Sequence, residues 1–103
     1  MAFQVKFSER AATDLSEIIG YISDVLLNPI AAEHFYNEVD KKRQHIRENP
    51  KMYPLSRDER LKAKGYRVAV VGNYLLFYIV DDENAIAYII RIVYSKRDLS
   101  SIV

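Results

Sequence analysis

The sequence predicts an α+β domain of element order β-α-α-β-β-β, with a helical hairpin packed on one face of a four-stranded antiparallel sheet. The last third of the chain is rich in β-branched and aromatic residues, and turn sequences at Gly72-Asn73 and at positions 81–84 divide it into three runs of strand length. Two earlier stretches carry apolar residues at three- and four-residue spacing, which is typical of amphipathic helices. These observations together predict the three-stranded antiparallel meander and the hairpin that covers it.

The first two elements are a short strand and a helix. Phe3, Val5 and Phe7 alternate with polar residues, which predicts a half-buried strand. Ser8 is a suitable N-cap for the helix that follows. The apolar stripe of this helix consists of Ala11, Leu15, Ile18, Ile19, Ile22 and Leu26, and charged residues such as Asp14 lie off the stripe.

The second helix has clear boundaries. Asn28 can cap it, and Pro29 suits the first helical position because that residue needs no N–H donor there. The pattern runs to about Arg47, and Asn49-Pro50 ends it. The residues expected to face inward are Ala32, Phe35, Val39 and Ile46. The short turn between the helices predicts an antiparallel hairpin.

The strands differ in how much of their surface is apolar. Residues 51–64 form an irregular linker in which positions 56–61 can make one helical turn. The middle run, 74–80, has no polar side chain apart from tyrosine, so we expect it to be central, with both faces covered by the chain or one face occupied by a partner. On the last strand, alternation places Ile86, Tyr88, Ile90, Ile92 and Tyr94 towards the helices, and Ala87, Ile89, Arg91 and Val93 on the open side.

Composition limits the classes of function. The 103 residues suit one domain, 1–103, and the absence of cysteine excludes disulfides and thiolate metal sites. The three glycines are too scattered for a phosphate-binding loop. His34 and His45 lie eleven positions apart on the second helix, too far to share a metal ion, and surface positions are expected for both. No metal or cofactor is expected. With no signal peptide or membrane span in the sequence, we expect a soluble cytoplasmic protein.

The charge is unevenly distributed although the net charge is only +1. Segments 51–70 and 91–103 together hold nine Lys or Arg against three Asp or Glu. We expect a positive patch for a nucleic acid or another target on the open side of the sheet, formed by Lys64, Arg67, Arg91, Lys96 and Arg97. The alternative is a solvated rim of basic residues. Tyr94 lies where the basic tail begins and can stack on a base or donate a proton, whereas packing is the expected role of the other strand tyrosines.

The order of several short motifs resembles that of a known family. The motifs are 11–18 and Tyr21-Ile22 in the first helix, 29–32 opening the second, then Asn49-Pro50, 53–55, 65–67, 72–78 and 91–98. Together they are similar to the RelE/ParE toxin superfamily of type II toxin–antitoxin modules, of the plasmid-stabilisation type.

The resemblance implies a growth-inhibiting toxin that a cognate antitoxin neutralises by wrapping the helices and the sheet, in a hetero-oligomer without cofactor. It leaves two targets open. RelE-like members cut mRNA on the ribosome without a metal, using basic residues and a phenol or histidine. ParE-like members share the fold but inhibit DNA gyrase.

The residues match the RelE-like pattern only in part. Arg67 and, more roughly, Arg97 match basic positions, and Tyr94 matches the phenol or histidine, so these three are the catalytic set if the protein is an endoribonuclease. Ala69 and Leu75 stand where that group usually has a lysine and an arginine, each worth on the order of several kcal/mol to metal-free catalysis. The closing motif 94–98 is nearer the ParE-like form. These departures favour a gyrase inhibitor over an mRNA endonuclease, with a non-toxic antitoxin-binding module as a third alternative.

Overall fold

The computed structural model describes residues 2–102, and the chain follows the predicted order with three short additions. The elements are β1 Gln4–Phe7, α1 Glu9–Gly20, a π-helical turn Tyr21–Val25, α2 Pro29–Glu48, α3 Glu59–Ala63, β2 Arg67–Val71, β3 Tyr74–Asp81, β4 Ile86–Tyr94 and a 3-10 turn Leu99–Ser101. The α+β order is confirmed. α3 overlaps positions 56–61, where the sequence allowed one helical turn, but it begins at Glu59 and ends at Ala63.

The ends of the helices form as their sequences predict. Ser8 Oγ accepts a hydrogen bond from the N–H of Ala11 over 3.0 Å at the start of α1. Asn28 Oδ1 accepts from the N–H of Ala31 at the start of α2, with Pro29 as the first helical residue. Each cap satisfies one of the N–H groups that a helix leaves without an internal partner.

The sheet has the order β1-β4-β3-β2 and is mixed. β3 is central, as predicted, and pairs antiparallel with both β2 and β4. The prediction of a fully antiparallel sheet was wrong, because β1 pairs in parallel with β4. Parallel neighbours need a long crossover, and here the helical hairpin, the linker and two strands separate β1 from β4 along the chain.

The main core lies between the helices and one face of the sheet, here called the helix-side face. All four residues predicted to face inward from α2 are buried: Ala32, Phe35, Val39 and Ile46. Two positions of the first predicted helix differ from the prediction. Leu26 is 54% exposed because the π-helical turn interrupts the helical period, and Asp14, expected in solvent, is only 5% exposed.

The predicted faces of β4 were wrong over its first half. Ala87 and Ile89 are fully buried in the helix-side core, whereas Ile86, Tyr88 and Ile90 are only half-buried. The pairing register shifts between Phe77 and Tyr78, so that Ile90 has no partner on β3. This bulge reverses the alternation, and Ile92 beyond it does belong to the helix-side core.

The second face of the sheet is not open as predicted. Leu61 from α3 and Ile102 from the C-terminal segment pack on Phe77 and Val93, and form a second, smaller core. The tail therefore folds back onto the sheet. Within residues 2–102, no helix combines the length and the apolar composition that a membrane crossing requires.

Candidate functional site

The five cations predicted to form one patch do not form a single open patch, because Arg67 lies apart from the tail and Arg91 is buried. Arg67 begins β2 opposite Tyr78, whereas Tyr94, next to the basic tail, ends β4 opposite Tyr74. Four residues along β3 and two strand spacings across it separate the backbones of Arg67 and Tyr94 by about 16 Å. Lys64 is an exposed residue at the end of α3, and Lys96 and Arg97 are exposed in the turn after β4. Arg67 therefore does not converge with the basic tail.

Arg91 is part of a buried ion pair and not of an open surface. Its Nε donates to Asp14 Oδ2 over 2.8 Å, and the two side chains are 7% and 6% exposed. The backbone N–H of Ile92 donates to the same oxygen over 3.0 Å. α1 starts directly after β1 and brings Asp14 to β4, which explains how the arginine is covered. The prediction that Arg91 binds a target is therefore contradicted by its burial.

Arg67 anchors the linker. Its Nη1 donates to the carbonyl oxygens of Tyr53 over 2.8 Å and of Lys51 over 3.3 Å. Arg67 is opposite Tyr78 in the antiparallel pair, and Tyr78 Oη donates to the carbonyl oxygen of Pro50 over 2.7 Å. These contacts hold the first residues of the linker at the end of the sheet, so the main contacts of Arg67 are structural.

A second set of contacts connects the linker to α2. His45 Nδ1 and Tyr53 Oη are 3.0 Å apart, and Lys42 Nζ lies 5.6 Å from the centre of the Tyr53 ring. His45 is half-buried, so the prediction of a surface position holds for His34 alone.

Burial raises the pKa of Tyr78 to about 12, although the nearby Arg67 charge opposes that rise.

The basic tail borders a cleft of about 220 Å³ that the sequence did not predict, here called the tyrosine cleft. Tyr21, Tyr74, Tyr94 and Arg97 line it together with Glu17. The rings of Tyr74 and Tyr94 meet edge to face with centroids 5.8 Å apart. Burial raises the pKa of Tyr74, and its neighbours Tyr21 and Tyr94 raise it further. The Tyr74 hydroxyl is therefore a neutral donor and acceptor at physiological pH.

The position of Tyr21 follows from the irregular end of α1. It is the first residue of the π-helical turn and is 49% exposed. π-helical turns are rare and frequently occur at functional sites. The sequence pattern does not mark Tyr21 and Tyr74 as site residues, because each lies on an element remote from the basic tail in sequence.

The tyrosine cleft can bind a partner but does not assemble a cluster of cations. Among residues 2–102, Arg97 is the one guanidinium that lines it, and Arg91 is paired with Asp14, which also lines the cleft. Ala69 is buried and Leu75 is half-buried, and neither supplies a charge. Among residues 2–102 no group of three His, Cys, Asp or Glu side chains is placed to hold a metal ion.

The fold is that of the RelE/ParE toxin superfamily, as three solved structures demonstrate. The chromosomal ParDE system from P. aeruginosa aligns with a TM-score of 0.72 and 18% identity, over 92% of this chain and 98% of that chain. The toxin–antitoxin complex RelBE2 from Mycobacterium tuberculosis aligns with a TM-score of 0.61 and 25% identity, over 91% and 99%. A mutant of the E. coli toxin RelE in the free state aligns with a TM-score of 0.64 and 20% identity, over 99% and 90%.

The sequence identifies the family within this superfamily. Residues 5–99 match the profile of the family described as the ParE toxin of the type II toxin–antitoxin system parDE. The chain belongs to this family. A comparison with individual curated proteins finds no match.

Proposed function

We propose that the protein is a growth-inhibiting toxin that acts by binding DNA gyrase and does not cleave RNA. The observation that carries the proposal is the separation of the basic side chains. Metal-free cleavage of an RNA phosphodiester needs several donors aimed at one phosphate, where charge develops in the transition state. Arg67 is engaged by two carbonyl oxygens and Arg91 by a carboxylate. Arg97 follows the end of β4, where the backbone of Tyr94 lies about 16 Å from that of Arg67.

The tyrosine cleft and its basic rim are the proposed surface for the target. Tyrosine and arginine are enriched among the residues that contribute most to protein–protein affinity. Tyr94 is 45% exposed, and Lys96 and Arg97 follow it on the surface. Tyr94 and Arg97 thus keep a role in target recognition, whereas Arg67 and Arg91 act through the fold.

A cognate antitoxin is the proposed second partner, and the two form a hetero-oligomer. Family membership supports this, as does the fact that the similar ParDE and RelBE2 structures are of toxin–antitoxin systems. The chain also exposes several large apolar side chains, which an amphipathic segment of an antitoxin can cover. Binding of such a segment would hold the toxin inactive.

Induction of the chain alone in a bacterium tests the proposed target. The rates of DNA, RNA and protein synthesis are followed by pulse-labelling, together with mRNA integrity and cell length. We expect DNA synthesis to fall first, with filamentation and a DNA-damage response, while mRNA remains intact. Immediate loss of protein synthesis with mRNA cut at ribosomes would establish the nuclease instead, and normal growth at confirmed expression would indicate a non-toxic binding module.

A further inference from the structure

The C-terminal segment, residues 98–102, connects the rim of the tyrosine cleft to the second face of the sheet. Arg97, which precedes the segment, lines the cleft together with Ile92 of the helix-side core. Ile102, at the other end of the segment, is 6% exposed and belongs to the smaller core on the second face. The segment therefore attaches the basic turn after β4 to a place that the cleft does not include.

Ile102 is held by side chains from three separate elements. It packs with Leu61 of α3, Phe77 of β3 and Val93 of β4, all of which are buried, and Leu99 is half-buried beside them. Burial of an isoleucine removes a large apolar surface from water, which favours the docked position of the segment. Val93 also lines the tyrosine cleft, so this contact lies close behind the cleft.

Hydrogen bonds leave little slack between Arg97 and Ile102. Asp98 Oδ1 accepts from the N–H of Ser100 over 3.0 Å, and Asp98 Oδ2 accepts from the Ser100 hydroxyl over 2.9 Å. The N–H of Ile102 donates to the carbonyl oxygen of Leu99 over 3.1 Å. A segment that is folded into a 3-10 turn fixes the distance between its ends, which a flexible linker does not.

The turn that carries Arg97 has only exposed hydrogen bonds of its own. The N–H of Arg97 donates to the carbonyl oxygen of Tyr94 over 2.9 Å, and the N–H of Ser95 donates to that of Asn73 over 2.8 Å. All four residues are exposed, and water competes for such groups, so these bonds contribute little. An arginine on a loosely held turn has many conformations to lose when it binds a partner.

We propose that Ile102 is a positioning residue for the target-binding surface. Its burial on the second face fixes the C-terminal segment, and the segment keeps Arg97 at the rim of the tyrosine cleft. Ile102 itself does not touch the target, because it lies under α3 on the face that the cleft does not include. The positioning role rests on the proposed function of the cleft in binding gyrase, whereas the anchoring of the segment does not.

Nuclear magnetic resonance of the full chain tests the anchoring without any target. Backbone amide order parameters for residues 97–102 should be close to the rigid value of about 0.85 in the unaltered chain, and below about 0.6 in Ile102→Ala. Val39→Ala is the matched control, because Val39 is 1% exposed in the helix-side core and also loses buried methyl groups. The control should leave the segment rigid. Order parameters that do not change in Ile102→Ala, or that are already low in the unaltered chain, would overturn the proposal.

Inhibition of DNA supercoiling by purified gyrase, at matched folded concentration, tests the effect on the target. If Ile102 acts through Arg97, Ile102→Ala and Arg97→Gln should each weaken inhibition about tenfold, and the double variant should weaken it no further. Ile102→Val keeps a branched apolar side chain and should inhibit within about twofold of the unaltered chain, as should Val39→Ala. Effects that multiply in the double variant would overturn the coupling between Ile102 and Arg97.

The two measurements separate failure of this inference from failure of the proposed function. A segment that loosens in Ile102→Ala, while the unaltered chain does not inhibit gyrase, would refute gyrase as the target and the positioning role with it, and the anchoring would stand. Full inhibition by Ile102→Ala with a loosened segment would keep gyrase as the target and overturn the positioning role.

Discussion

The buried pair of Asp14 and Arg91 gives a quantitative prediction. Asp14→Asn leaves the Arg91 guanidinium buried without a counter-charge, and breaking such a pair costs about 3 to 5 kcal/mol. Arg91→Gln leaves the Asp14 carboxylate with the Ile92 N–H and with Arg10, whose Nε lies 3.6 Å away at an exposed position. We therefore expect the Arg91 variant to lie at the lower end of that range.

The double variant Asp14→Asn/Arg91→Gln removes the ion pair without leaving either charge buried alone. Two neutral amides can hydrogen-bond to each other, and asparagine still accepts from Ile92, so the double variant should recover much of the lost stability. For a chain of 103 residues each kcal/mol corresponds to roughly 5 °C in Tm, so the Asp14 variant should melt roughly 15 to 25 °C lower.

Urea unfolding and thermal melts measure these differences, with the exposed pair of Lys51 and Asp82 as the control. That pair is 2.9 Å apart but more than half exposed, and Asp82→Asn should cost less than about 1 kcal/mol. Equal small losses from Asp14→Asn and Asp82→Asn, or strictly additive effects in the double variant, would refute the buried ion pair. At matched folded concentration the double variant should keep the toxicity of the unaltered chain.

Three further predictions follow from the linker contacts and the tyrosine cleft. Arg67→Gln should speed proteolysis within residues 51–57, because the two hydrogen bonds from its guanidinium to carbonyl oxygens are lost. Inhibition by the folded fraction should be unchanged, and a large loss of inhibition would indicate that Arg67 contacts the target. Between pH 10 and 12 unfolded Tyr78 ionises while folded Tyr78, with its pKa of about 12, keeps its proton, so stability should fall by about 2 to 3 kcal/mol. Tyr78→Phe should flatten that part of a stability–pH curve, and an unchanged slope would contradict the assignment. Tyr94→Ala should weaken target binding about tenfold with little change in Tm, whereas Tyr94→Phe should stay close to the unaltered chain; an equal effect of both would assign the contribution to the hydroxyl.

The sequence predicts those parts of the fold that local patterns determine. Caps at Ser8 and Asn28 define the helix starts, and the inward residues of α2 follow from its period. The apolar run 74–80 predicts a central strand, which β3 is. Each of these features depends on neighbours within a few residues, where side-chain chemistry and backbone preference act directly.

The faces of β4 depend on one residue that no pattern marks. Because Ile90 has no partner on β3, the residues of β4 that precede it face the side opposite to the one predicted. Because the period of a strand is two, any such shift exchanges the faces completely. The burial of Arg91 also depends on α1 carrying Asp14 to β4, a contact between positions 77 residues apart in the chain.

The candidate site combines elements that are distant in sequence. The tyrosine cleft takes side chains from the π-helical turn, β3, β4 and the tail, and the helical stripe gave no indication that the helix would change its period at Tyr21. Arg67 was expected to face a target. Its actual partners are the carbonyl oxygens of Lys51 and Tyr53, and these could not be predicted because the linker has no periodic pattern from which to infer its path. The count of basic residues alone therefore predicted a larger basic surface than the structure has.

Inhibition of DNA supercoiling by purified gyrase tests the central claim most directly. The free chain is titrated into the reaction beside Arg97→Gln and Arg67→Gln at matched folded concentration, and a parallel reaction contains translating ribosomes with a defined mRNA. We predict inhibition of supercoiling that Arg97→Gln weakens and Arg67→Gln does not, with the mRNA intact. Cleavage of the mRNA that both arginine variants abolish, with supercoiling unaffected, would contradict the account.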